Sequence, residues 1–156
     1  MIIIERKNPE DPTVETLIKK LDADLWERYP TQQAFFAQFN KLPKEACVVV
    51  AFDGKKAVGC GAFKPFANDE KTVEIKRMYV DESVRNKGIG LRILNALEKW
   101  AIEKKYEVAN LETGTNQPEA VRLYKKAGYE LIESFSPYIG VENSVCFGKK
   151  LIPVSV

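Results

Sequence analysis

One stretch, from Val73 to Trp100, constrains this chain more than any other. Val73, Ile75, Arg77 and Tyr79 alternate with Glu74, Lys76, Met78 and Val80, which predicts a strand with the two sets on opposite faces. Asp81-Glu82-Ser83 ends the alternation. Arg85-Asn86-Lys87-Gly88-Ile89-Gly90 then leads into Ile93, Leu94, Leu97, Trp100 and Ala101, which recur on one face of a helix. A strand that passes through a glycine turn into a helix builds an anion site. The first helical N–H groups have no intrahelical acceptor, and the helix dipole adds positive potential there. Gly88 and Gly90 would let a phosphate approach the backbone, with Arg85 and Lys87 adding charge. The turn lacks the Gly-Lys-Ser/Thr ending of a Walker loop, and Gly88-Ile89-Gly90-Leu91-Arg92-Ile93 lacks the third glycine of a dinucleotide fingerprint.

The flanking segments supply a sheet for this unit. Ile2 to Arg6 predicts a strand, and Val14, Leu17, Ile18, Leu21 and Leu25 a helix from about Thr13. After Tyr29-Pro30, Thr31 is the expected cap of a second helix bearing Phe35, Phe36 and Phe39. Cys47 to Phe52 and Ala57 to Lys64 form a hairpin about Asp53-Gly54, with Gly59 and Gly61 marking a bulge, a close backbone approach or slack packing. Pro65 to Lys71 reads as a polar loop. Val108 to Glu112 predicts a strand joined to Thr72–Val80 by a right-handed parallel crossover, which puts a ligand at the glycine turn. A helix with Pro118 in its first turn ends at Gly128, and Tyr129 to Phe135 and Ser144 to Leu151 close the sheet.

Composition narrows the chemistry. A chain of 156 residues is expected to be one domain, 1–156, and Lys plus Arg exceed Asp plus Glu by only 24 to 22, which argues against nucleic acid or an anionic membrane as partner. No run approaches 18 apolar residues, so no membrane span is expected. Cys47, Cys60 and Cys146 lie far apart in apolar stretches and are expected to be buried thiols of a cytoplasmic protein. Histidine is absent, which removes Ser-His-Asp and Cys-His mechanisms and every histidine-bearing zinc site.

Arg85-Asn86-Lys87-Gly88-Ile89-Gly90 resembles the Arg/Gln-x-x-Gly-x-Gly/Ala pyrophosphate motif of the GNAT superfamily of N-acetyltransferases. The strand Glu74 to Val80 and the segment Asn116 to Tyr129 resemble that family in the same order. The resemblance implies an α/β (α+β) fold with a mixed, mostly antiparallel sheet of six to seven strands and about four helices. It implies acetyl-coenzyme A as cosubstrate, no metal, and an amine of a small molecule or peptide as acceptor. A homodimer is compatible with it. The alternative function is a non-catalytic acyl-coenzyme A sensor or partner switch.

By the same resemblance Tyr124 matches the general acid and Glu74 the base, with Glu112 or a bound water as other candidates for the base. Met78 and Val80 would offer backbone bonds to the pantetheine arm, and a bulge near Met78 would free an N–H for the thioester oxygen. Arg85, Asn86, Lys87, Gly88, Ile89 and Gly90 would hold the diphosphate. Asn116 matches a residue that reaches the pantetheine, although a helix cap would explain it equally. Asp22, Asp24 and Glu27 would attract a cationic amine, with Trp26, Tyr29 and Tyr138 as its apolar wall. The base has the larger task, because an alkyl ammonium of pKa about 10.4 is only about one part in 2,500 neutral at pH 7.

Overall fold

The computed structural model describes residues 1–67 and 69–151. Seven strands form one sheet in the order β1-β2-β3-β4-β5-β7-β6. They are β1 (Ile2–Lys7), β2 (Cys47–Asp53), β3 (Lys56–Phe66), β4 (Asp69–Val80), β5 (Val108–Gly114), β6 (Glu130–Ile132) and β7 (Ser144–Lys150). Among the described residues, β4 and β5 are the parallel neighbours and every other pair is antiparallel. The helices are α1 (Pro12–Arg28), α2 (Gln33–Asn40), α3 (Ile89–Glu103) and α4 (Pro118–Lys126). This is the expected mixed, mostly antiparallel architecture.

Each face of the sheet is closed by a helix whose apolar stripe the sequence already carries. On one face, Ile89, Ile93, Leu94, Leu97 and Ala101 of α3 pack against Val49, Val58, Phe63, Val73 and Ile75. On the other, Val14 and Leu17 of α1 meet Val48, Val50, Cys60 and Ala62. Asp11 starts α1 by accepting the Thr13 N–H at 2.8 Å. Gly128, with φ +96°, ends α4 in the left-handed conformation that favours glycine.

β4 departs from simple alternation. Ala62 pairs with Lys76 and Cys60 with Tyr79, so Arg77 and Met78 together oppose Gly61, and Arg77 takes φ 59°. This is a bulge. It reverses the face of every later side chain: Met78 and Val80 join the α3 side, while Tyr79 packs on the α1 side. The expected grouping of Tyr79 with Val73 and Ile75 is therefore corrected. The Cys60 thiol donates to the Arg77 carbonyl at 3.4 Å and helps hold the bulge.

Three other expectations change. Pro65 to Lys71 is largely strand, since Pro65 pairs with Val73 and Phe66 with Asp69, so the two long strands run on almost to their turn. Thr31 is not a cap; Gln32 stands at the start of α2 and makes no side-chain capping bond. The strand expected to reach Phe135 stops at Ile132, because Phe135 turns to meet Phe66 and Tyr138 edge-on at 5.0 and 5.7 Å.

The decisive feature lies between β4 and β5. Their ladder runs from Thr72 opposite Val108 to Ile75 opposite Leu111 and then ends, although β4 continues to Val80 and β5 to Gly114. Beyond that point each strand keeps its outer partner, β3 for β4 and β7 for β5. A notch opens in the middle of the sheet.

Gly59 and Gly61 owe their place to close packing under α3. A Cβ on Gly61 would stand 2.6 Å from Met78 Sδ and 2.8 Å from Ile93 Cγ2, and one on Gly59 would stand 2.8 Å from the Tyr79 carbonyl. Gly61→Ala is accordingly expected to lower unfolding free energy by about 1–3 kcal/mol in urea titration, the usual range for overpacking.

Candidate active site

The glycine turn sits at the mouth of the notch. Asn86 and Gly88 both take left-handed φ, 66° and 76°, which tips the chain so that α3 begins pointing at solvent. No acidic residue stands in the first turn of α3, and Gly88 offers no side-chain cap. Among the described residues the N–H groups of Lys87, Gly88, Ile89, Gly90 and Leu91 donate to no protein acceptor; the first helical bond is that of Arg92 to the Gly88 carbonyl. A row of unpaired donors with the helix dipole behind it fits a diphosphate.

The two glycines serve different ends. A Cβ on Gly88 would meet nothing within 4 Å, so backbone conformation explains that glycine, whereas a Cβ on Gly90 would stand 3.1 Å from Leu123 Cδ2 of α4. Arg85 donates from Nε to the Val80 carbonyl at 2.8 Å, which ties the turn to the end of β4. A cleft of about 780 Å³ runs past this turn, lined by Met78, Val80, Arg85, Asn86, Gly88, Ile89 and Gly90 together with Leu123 and Tyr124. The exposed Lys87 stands outside that lining.

Inside the notch lies a smaller cavity of about 90 Å³ bordered by Glu112, Thr113, Gly114, Lys76 and Arg77. Tyr124, Met78, Leu21 and Gln117 border both spaces, so cleft and cavity meet there. Tyr124 is 5 % exposed, and its hydroxyl makes no hydrogen bond among the described residues. Burial, and then the charge of Glu112, raise its pKa well above the ordinary phenol value.

Glu112 accepts a 2.6 Å hydrogen bond from the Ser144 hydroxyl. Burial lifts its carboxyl to about 7, against the opposing effects of the Ser144 bond and Lys76. Glu74 is placed differently. Its carboxylate lies 3.4 Å from Lys76 Nζ and 3.9 Å from Lys64 Nζ, and it borders neither the cleft nor the cavity. Burial in turn lowers the Lys76 pKa, with Glu74 pulling it back up.

Asn116 donates from Nδ2 to the Arg28 carbonyl at 3.1 Å and from its backbone to the Tyr29 hydroxyl at 3.0 Å. It therefore closes the end of α1, and Gln117 occupies the N-cap of α4. The expected acids are engaged or outlying: Asp22 pairs with Arg77, Asp24 with Arg28, and Glu27 is exposed. Trp26 is 55 % exposed on an outer groove, while Tyr29 and Tyr138 are buried.

Sequence reasoning did not foresee one support of the notch. A Cβ on Gly114 would fall 1.6 Å from the Tyr29 hydroxyl, so this glycine makes room for the ring that fills the notch. The bulge expected near Met78 is present where Arg77 and Met78 together face Gly61, and the strand carries its mark: a cation in the apolar phase of β4, followed by Met78 and Val80 in the polar phase.

The arrangement joins a turn with unpaired N–H groups to an inner cavity lined by a carboxylate and a phenol. The sequence profile of the Acetyltransferase (GNAT) family matches residues 12–129. The IAA acetyltransferase of Azospirillum brasilense is 32 % identical over 138 residues, covering 88 % of this chain and 90 % of that protein. A crystal structure from Klebsiella pneumoniae assigned as an acyl-CoA N-acyltransferase is 31 % identical, with TM-score 0.80 over 97 % of this chain and 99 % of that one. A GNAT acetyltransferase from Elizabethkingia anophelis with acetyl-CoA bound shares the fold, at 20 % identity and TM-score 0.69 over 96 % and 98 % of the two chains. The chain belongs to the GNAT family and is an acetyl-coenzyme A-dependent N-acetyltransferase.

Gly88→Asp sets a carboxylate against the unpaired N–H groups of α3, where it competes with phosphate. Coenzyme A affinity measured by calorimetry is expected to fall roughly ten- to hundredfold, in line with the loss of one or more charge-assisted bonds.

Proposed function

We propose that this chain acetylates a primary amine of a small molecule or peptide, with Glu112 as proton acceptor and Tyr124 as proton donor. The observation that carries this reading is the junction of the two spaces, where Tyr124 borders both the cleft at the glycine turn and the cavity that holds Glu112. Bound acetyl-coenzyme A would supply an acetyl thioester to the amine, a C–N bond forming as the C–S bond breaks.

The residues suit the two proton movements. A carboxyl of pKa about 7 is about half ionised at neutral pH and can take a proton from an ammonium, directly or through water. Glu112 is favoured over Glu74 because Glu74 is held between two lysines and away from the cavity. Tyr124 stays protonated at every physiological pH. A thiolate formed in the same apolar surroundings is raised in pKa as well, so the phenol remains a competent donor to sulfur. The Met78 N–H lies beside the bulge, where neither Arg77 nor Met78 has a partner in β3, and is the candidate donor to the thioester oxygen. Cys47, Cys60 and Cys146 are buried and unpaired, which accords with the cytoplasm.

Tyr124→Phe is expected to lower kcat about 10²- to 10⁴-fold with little change in coenzyme A affinity, read by free-thiol release and calorimetry. Equal turnover would remove the donor role.

Glu112→Gln has two readouts. In the native chain kcat/KM should rise with pH and level off above about 7, and the variant should lose that limb. The folded pKa of Glu112 lies above its unfolded value, so the fold binds the extra proton and loses stability as pH rises from about 4.5 to about 7. Glutamine removes this loss, so the variant should melt higher than the native chain at pH 8 and alike at pH 4.

A further inference from the structure

Arg77 carries a buried polar atom in the notch that no acceptor among the described residues meets. Its side chain is 4 % exposed, and Nε is the only buried side-chain nitrogen or oxygen among the described residues without a hydrogen-bond partner. A guanidinium stays charged at any physiological pH, so a buried N–H of this kind is costly unless an acceptor meets it. Asp22 engages only a terminal nitrogen, at 2.5 Å. That aspartate is 44 % exposed, while Nε is buried and has no acceptor of its own.

The position of Arg77 shows where its acceptor would come from. It borders the inner cavity beside Met78, Glu112 and Tyr124, and also an outer groove of about 580 Å³ with Asp22, Trp26 and Ile18. Arg77 thus stands where the two spaces adjoin, and the inner cavity of about 90 Å³ holds little more than an amino group and its nearest atoms. The other charged groups at the inner cavity are already matched, Lys76 by Glu74 and Glu112 by the Ser144 hydroxyl. The bulge is what brings this cation here, and its left-handed backbone is a strained conformation of the sort retained at ligand sites.

We propose that Arg77 reads the acceptor: its Nε–H binds a carboxylate on the amine substrate whose amino group lies by Glu112 and Tyr124. The accepted class is then amino acids and other small amino-carboxylates, in preference to plain alkylamines, polyamines or aminoglycosides. This rests on the acetyl-transfer reading above and narrows it. A planar carboxylate suits the guanidinium edge, and Asp22 occupies part of that edge while no substrate is present.

The test uses matched pairs with the full chain and acetyl-coenzyme A: alanine against ethylamine, β-alanine and aspartate against each other, γ-aminobutyrate against propylamine, with spermidine as a cationic control. Thiol release should favour the carboxylate member of an acid and amine pair by about tenfold or more in kcat/KM, the value of one charge-assisted hydrogen bond. Arg77→Gln should raise KM for the amino-carboxylates by a similar factor, more than it raises KM for the plain amines, and keep coenzyme A binding; Arg77→Lys should restore part of the loss.

Binding separates this proposal from the reading beneath it. Calorimetry on the chain saturated with coenzyme A should show an N-acetylamino acid bound more tightly than the N-acetylamine lacking the carboxylate. Turnover of both members of each acid and amine pair alike overturns the proposal and leaves acetyl transfer standing. Carboxylate-dependent binding with no turnover of any amine upholds Arg77 and overturns Glu112 and Tyr124 as the proton carriers for this class of acceptor. Should either variant lose coenzyme A affinity through misfolding, the native chain's preference between paired acceptors decides the matter.

Discussion

Four residue pairs hold β4 to β5, and the rest of the molecule is arranged around the point where they stop. A parallel ladder broken in mid-sheet leaves polar backbone facing a gap, which a folded chain tolerates only where the gap has occupants or side chains to meet it. Here Tyr29 reaches in from the end of α1 against Gly114, and Tyr124 reaches in from α4. The outer ladders carry on past the break, so the two halves of the sheet part without either fraying. Because α3 spans the first half and starts at the mouth of the gap, its unpaired N–H groups face the same opening.

Burial then supplies the chemistry that histidine supplies elsewhere. With no histidine in the chain, the groups that titrate near neutrality must be displaced from their ordinary values by their surroundings. Loss of water raises the Glu112 carboxyl to about 7 and lowers the Lys76 ammonium, and it holds the Tyr124 phenol neutral. The same apolar walls would act as sinks for stability if each ion were unmatched. Most are matched, by Ser144, Glu74, or Asp22.

Much of this was legible in one dimension. The apolar stripe of α3, the stripe of α1, the hairpin about Gly54 and the anion turn at Gly88 are local patterns, and local patterns survive folding when the buried face agrees with them. Element ends were less legible. Phe135 left its expected strand because Phe66 and Tyr138 were within reach, and Pro65 stayed within a strand because its pairing with Val73 holds the long hairpin together. Both outcomes turn on residues distant in sequence. The bulge at Arg77 is an intermediate case: its phase change was written in the strand, but its reason, a partner strand with glycine opposite, lies in β3.

By itself the sequence determined which segments are strand and which are helix along most of the chain, and that a glycine turn would leave the first N–H groups of α3 unpaired, since propensity, periodicity and turn chemistry act over a few residues. Tertiary structure alone decided which carboxylate reaches the inner cavity, why Gly90 and Gly114 are glycine, and that the Arg77 Nε–H meets no acceptor among the described residues. Glu74 and Glu112 lie on neighbouring strands with similar surroundings in sequence; only the parting of β4 from β5 puts one against Tyr124 and leaves the other between lysines. Side-chain roles of that kind depend on what stands opposite in space, and a one-dimensional pattern carries no term for it.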